Sequence, residues 1–223
     1  MTIIDKIRKL YGFPQNFHFG FSESEIYQLE KRLNIKFPLK LKSYYLSLGK
    51  IETINYSHNR LLKPNKEIRF SKDRHLIFYE ENQASACWGI KEKDLKFDNP
   101  TVWGNYGKEE DSDLLVETNS IDNFFLLMAV YNGTLGGLKY NANSLAHIEP
   151  KTVRYIKDNW TEIQEISYEK QKVYTDNFYE ILSLSFDDKS NCNGIFIGTS
   201  NQKRFNTMIE NIEINWSYIS YED

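Results

Sequence analysis

Cys87 and His75 are the residues whose chemistry would matter most if the fold brought them together. A thiol beside an imidazole is the elementary nucleophile–base pair. The two fall on opposite arms of one stretch, HLIFYEENQASACWGI at 75–90, which can fold back on itself. Cys87, however, lies between the apolar positions Ala86 and Trp88, and no orienting acid is evident. The other candidates for chemistry are scattered. His18, His58, His75 and His147 stand singly and Cys192 has no near partner, so ligand spacing for a metal is missing. No GxxxxGK[ST], GxGxxG or GxSxG occurs, and Gly194-Ile-Phe-Ile-Gly198 reads as strand rather than phosphate loop. The expectation is no catalytic residue, no metal and no cofactor, hence not an enzyme.

Three groups suit binding better. Glu80, Glu81, Asn82 and Gln83 form the polar centre of the 75–90 stretch. They offer acceptors and amide forks to a basic partner, or else they brace a solvated turn, where such residues are common. Glu109, Glu110, Asp111 and Asp113 form an acidic run. Carboxylates there would meet a Lys/Arg surface of the kind a nuclease uses for phosphates, giving a fast and salt-sensitive encounter; the alternative is an ordinary solvated loop. Tyr106, with Trp103, Tyr218 and Tyr221, supplies rings that would anchor an interface if exposed.

Elements that would position these groups can be read from spacing. Ile3, Ile4, Ile7 and Leu10 outline a short amphipathic helix. Ser22 and Glu25 make a capping box ahead of Ile26, Leu29 and Leu33. Asn34 closes that helix, and Pro38 opens another carrying Leu41, Tyr44, Tyr45 and Leu48, ended by Gly49. Short strands are expected near Arg60–Leu62 and Ile68–Phe70. Leu76, Phe78, Ala86, Trp88 and Ile90 alternate around the polar centre, predicting an antiparallel hairpin with one buried face. Thr101–Trp103 follows as a strand. Ser120 caps the strongly apolar helix IDNFFLLMAVYNG, which is expected to be buried. Beyond residue 150, Val153, Ile156, Trp160 and Ile163 keep helical spacing. FYEILSLSF at 178–186 and GIFIGTS pair as strands, and Phe205, Met208, Ile209 and Ile212 give a last helix.

Composition narrows the class. The chain has 223 residues, 40% hydrophobic and 26% charged, with a net charge of −3. Those are globular values, and so small a charge gives no reason to expect direct nucleic-acid or membrane binding. Two distant cysteines, no apolar signal core and no membrane-length run point to a cytoplasmic protein. Without a linker or an internal repeat, the expectation is one α+β domain over 1–223, with helices packed around a mostly antiparallel sheet.

The order of these pieces resembles the SUKH superfamily, which groups fungal cell-wall-assembly regulators with bacterial immunity proteins. SEIYQLEKRLNIKFPLKLKSYYLSLG at 24–49 looks like its paired N-terminal helices. LIFYEENQASACWGI followed by DNPTVW is similar to its central hairpin and next strand. The acidic loop before SIDNFFLLMAVYNG matches the position of its long buried helix. Residues 20–145 carry the likeness, and 150–223 supply closing elements. Phe37-Pro38 and Gly49-Lys50 stand where the family has Leu-Pro and Asn-Gly. The resemblance implies an immunity protein that binds a cognate polymorphic toxin, as in a toxin–antitoxin pair, and neutralises it by protein binding without chemistry. The alternative is a regulatory or scaffolding domain with several cellular partners.

Overall fold

A computed structural model describes residues 1–107 and 114–220. The chain divides into two compact units, Asn16–Met128 and Met1–Gln15 with Ala129–Asp223, where the sequence leads one to expect a single domain over 1–223. The fold class is α+β, and its strands form two antiparallel sheets.

The first helix, α1 (Ile3–Leu10), is capped by Thr2, whose hydroxyl accepts from the Asp5 N–H while the Asp5 carboxylate reaches back to the Thr2 N–H. It belongs to the second of the two units. The Asn16–Met128 unit opens with α2 (Glu23–Leu33), started by the Ser22–Glu25 capping box and ended by Asn34 in the left-handed conformation at φ 52°. Then α3 (Leu39–Leu48) begins after Pro38, and a single turn, α4 (Glu52–Asn55), follows. Both α2 and α3 lie where capping and periodicity place them.

Six strands follow: β1 (Asn59–Leu61), β2 (Arg69–Phe70), β3 (His75–Glu81), β4 (Cys87–Lys91), β5 (Val102–Asn105) and β6 (Leu114–Thr118). They pair in the order β1–β3–β4–β5–β6, with β2 also on β3. The predicted hairpin is present as β3–β4, but its burial differs from the alternation. Every β3 residue from His75 to Glu80 is buried. At Tyr79 the cause is a bulge. Ile77 faces Gly89 and Tyr79 faces Trp88, leaving Phe78 as the extra residue, and a bulge of this kind breaks the period of two. Phe78 and Tyr79 therefore both reach the ring of Phe124, at centroid distances of 5.4 and 5.3 Å.

Phe124 and Phe125 come from the first turns of α5 (Ile121–Asn132), which Ser120 caps through the Asn123 N–H. Phe125 stacks on Tyr44 of α3 with centroids 3.5 Å apart. Each fully buried ring of this kind contributes about 1.5–3 kcal/mol by leaving water. The phenols in this core are satisfied: Tyr44 donates to Asn55 Oδ1 at 2.9 Å and Tyr45 to the Leu62 carbonyl at 2.7 Å. Asn55 in turn donates to the Leu48 and Ile51 carbonyls, as a buried amide must.

The second unit takes the end of α5 and carries β7 (Tyr140–Ser144), α6 (Pro150–Asn159), β8 (Thr161–Glu162), β9 (Gln171–Thr175), β10 (Glu180–Phe186), β11 (Cys192–Thr199), α7 (Gln202–Asn211) and β12 (Tyr218–Ile219). Its sheet runs β12–β7–β11–β10–β9–β8. Leu182, Leu184, Ile195 and Ile197 of the central strands bury against Ile156 of α6 and against Phe205 and Met208 of α7. Two expectations change here. The helix read through Trp160 and Ile163 stops at Asn159, because Thr161 and Glu162 pair with Thr175 and Tyr174. Phe178, expected in a strand, sits in the β9–β10 turn with φ 60°.

Candidate functional site

Strand register brings several of the predicted binding residues to one end of the Asn16–Met128 sheet. Glu80 is opposite Cys87, Cys87 opposite Asn105, and Asn105 opposite Leu114. The β3–β4 turn, the exit of β5 at Tyr106 and Gly107, and the entry to β6 therefore share that end.

Within the turn the four polar residues separate. Glu80 belongs to β3 and is buried; its carboxylate accepts from Arg60 Nε at 2.6 Å and forms an ion pair with the same guanidinium. It is thus removed from the docking tip where its sequence neighbours suggest it, because β1 supplies a cation directly across the ladder, with Arg60 opposite Glu80. Glu81 braces the turn. Desolvation pushes its carboxyl up, but the N–H of Gln83 and the hydroxyl and N–H of Ser85 outweigh it and hold the pKa below its ordinary value. Asn82 and Gln83 are exposed at the tip, and Ala84 closes the turn at φ 58°. Of the four, only these two offer free-facing amides to a partner.

Tyr106 is exposed, at 51%, yet held on two sides. Its ring meets the buried Trp88 indole edge-on, and its hydroxyl donates to the Glu117 carboxylate. Glu117 is the extra residue of a bulge in β6, since Val102 pairs with Thr118 and Trp103 with Val116. The space for this arrangement depends on Gly104: a Cβ there would lie 2.8 Å from Tyr106 Cε2 and 3.0 Å from Glu117 Oε2. Sequence reasoning selected Tyr106 but missed its support, which is built from three different strands.

Beside Tyr106, Leu115 and Val116 are 59% and 50% exposed. Leu115 lies opposite Gly104, on the Trp88 side of the sheet, and Val116 opposite Trp103, on the other side. Among the described residues no strand pairs with the outer edge of β6. Edge strands are usually blunted by Lys, Pro or a covering element; this one presents two aliphatic side chains. The apolar Leu114-Leu115-Val116 run is visible in the sequence, but nothing in it shows that the strand lies at a sheet edge.

The remaining candidates lie elsewhere. Trp103 is half-buried, with Lys91 Nζ 3.3 Å from its ring centroid. Tyr218 is in β12 of the other unit. Glu109, Glu110, Asp111, Asp113 and Tyr221 lie outside the described residues. His75 pairs with Lys91 while Cys87 pairs with Glu80, which puts thiol and imidazole at opposite ends of the hairpin, four β4 steps or about 13 Å apart along the strand at ~3.3 Å per residue. Burial, and then the charge of Lys91, lowers the His75 pKa. Among the described residues no group of three or more His, Cys, Asp or Glu is placed to hold a metal ion, and no helix is long and apolar enough to cross a membrane. No protein-family model matches the chain, and no curated protein or solved structure matches it either.

Proposed function

We propose that the chain is an immunity protein of the SUKH kind, acting in the cytoplasm by binding a cognate polymorphic toxin and blocking it without chemistry. The observation that carries this reading is the support of Tyr106: an exposed ring pinned by Trp88 and Glu117, beside Leu115 on an open strand edge. Aromatic anchors with little freedom left to lose are what tight interfaces concentrate their energy on. The β6 edge, which no strand pairs with among the described residues, adds main-chain donors and acceptors that an extended segment of a partner can pair with.

Charge adds a second support. Gly107 and Leu114, at this end of the sheet, flank the sequence that carries Glu109, Glu110, Asp111 and Asp113. A toxin with a basic surface, such as a nuclease, would be steered toward such a run.

The test is affinity capture with the tagged chain from lysate of its own source cells, followed by assay of the captured protein's enzymatic activity. One stoichiometric partner, inhibited by the wild-type chain and released by Tyr106→Ala and Leu115→Asp, supports immunity through this surface. Several weakly held partners, none of them inhibited, would replace it with the regulatory reading.

A further inference from the structure

Residues 17–21 run as a strap along the C-terminal end of α3. The Phe19 N–H donates to the Ser47 carbonyl at 2.9 Å, the Phe21 N–H to the Tyr45 carbonyl at 2.9 Å, and the Lys50 N–H returns to the Phe19 carbonyl at 3.0 Å. Between them Gly20 lies so close that a Cβ would overlap the Leu46 carbonyl. The Phe19 backbone is therefore fixed on both sides, yet its side chain is 54% exposed. A large ring held out on a rigid support has already lost the backbone freedom that binding would otherwise remove.

That ring stands at the rim of a cleft of about 450 Å³ lined by Phe19, Phe21, Lys50, Glu52, Tyr56 and Lys63. The volume suits a small ligand, and a mainly apolar lining with a few converging polar groups is the usual make-up of such sites. Two of the lining groups are ammoniums and one is a carboxylate. Lys50 is shared with Glu25 at 3.2 Å and lies over the Phe21 ring. The Lys63 side chain makes no ion pair among the described residues; its backbone is engaged, the N–H donating to the Glu67 carboxylate at 3.2 Å and the carbonyl accepting from the Asn65 N–H at 2.7 Å. Glu67 itself pairs with Arg60 at 3.4 Å. Burial, and then the negative charge of Glu67, pushes the Tyr56 phenol up to about 12, so it remains a neutral hydrogen-bond donor near neutral pH.

We propose that this cleft binds an aromatic carboxylate, its ring against Phe19 and Phe21 and its anion toward Lys63 and the Tyr56 hydroxyl. None of the lining residues belongs to β3–β6, so the site stands or falls independently of the toxin-binding surface. The chemistry is shared by a free aromatic acid and by an aromatic residue at the carboxyl end of a peptide.

The experiment is an amide-resolved NMR titration of the full chain with phenylacetate, with phenylacetamide, and with a hexapeptide ending in Phe with a free carboxylate. Saturable shifts at Phe19, Tyr56 and Lys63 are expected with phenylacetate, about tenfold weaker with phenylacetamide. Phe19→Ser and Lys63→Gln, each checked for an unchanged urea midpoint, should each weaken phenylacetate about tenfold. Whichever of the free acid and the peptide binds tighter names the source. No saturable shift at these amides with any probe would overturn the proposal, as would equal affinity for the acid and its amide, or unchanged affinity in Phe19→Ser.

Discussion

The Tyr106 ring meets the Trp88 indole with centroids 6.1 Å apart and planes at 89°, while the Tyr106 hydroxyl ends on Glu117. Both contacts position a ring that remains half in solvent, so under the proposed function they serve binding more than folding. Tyr106→Ala should weaken partner affinity at least tenfold and shift the unfolding free energy by less than about 1 kcal/mol. Gly104→Ala leaves the tyrosine present but crowds it from below. It should lose most of the same affinity. Calorimetric titration against the partner beside urea unfolding measures both. A Gly104→Ala variant of wild-type affinity would show that the support under Tyr106 is irrelevant to binding.

The Arg60–Glu80 pair supports a contrasting expectation. Glu80 is buried and Arg60 is partly exposed, so the pair lies between an exposed ion pair worth about 0–1 kcal/mol and a fully buried one costing about 3–5 kcal/mol when one partner is removed. Glu80→Ala should therefore destabilise by roughly 1–3 kcal/mol, and Glu81→Ala by less. Urea midpoints rank them. Partner affinity should survive in folded Glu80→Ala, since its carboxylate faces Arg60 rather than solvent; a selective loss of binding would return Glu80 to the interface.

What the sequence reveals about this fold divides along physical lines. Local rules held wherever one side chain acts on its own neighbours: the Ser22–Glu25 box, Asn34 at the helix end and Ser120 at the start of α5 are legible because capping spans three or four residues. The burial of Tyr79 in β3 was not legible, because the bulge at Phe78 arises from pairing with β4 and turns Tyr79 inward against the period of two. Strands β7 and β9 were missed for a related reason. Tyr140–Ser144 is mostly polar, and Gln171–Thr175 follows a run of charges; each is defined by its partner rather than by its own pattern. Within the site, Tyr106 could be chosen as a residue type, but its support from Trp88, Gly104 and Glu117 required the register.

The two capping boxes predict an acid-sensitive contribution to stability. Asp5 is held below its ordinary 3.8 chiefly by the Thr2 hydroxyl. Glu25 is held below 4.5 chiefly by the Ser22 N–H, against the opposing effect of desolvation. A carboxyl depressed in the folded state binds protons more readily once unfolded. Its contribution is therefore complete above 4.5 for Glu25 and 3.8 for Asp5, and drains away as pH falls through the lower folded values. Ser22→Ala should lose about 1 kcal/mol at pH 7 and show a shallower decline of Tm below pH 4.5 than the wild type. Parallel acid limbs in the two proteins would refute the linkage.

The β9–β10 turn allows a prediction whose sign is set by magnitudes. Asn177 and Phe178 both have positive φ, 53° and 60°, and the Tyr179 N–H closes the turn on the Asp176 carbonyl at 3.0 Å. Turns with two left-handed central residues favour Asn-Gly, so Phe178→Gly would relieve about 1 kcal/mol or somewhat more of backbone strain. Against that, Lys6 Nζ lies 4.8 Å from the centre of the Phe178 ring, a contact worth about 0.5–1 kcal/mol. The glycine would also give the unfolded chain freedom worth about 0.4–1 kcal/mol, and half-buried ring area would be lost. The balance favours the native phenylalanine: Phe178→Gly should destabilise by about 0.5 kcal/mol, and by less in a Lys6→Ala background. A urea double-mutant cycle reads both numbers. Stabilisation by about 1 kcal/mol would mean that strain, rather than the contact with α1, dominates this turn.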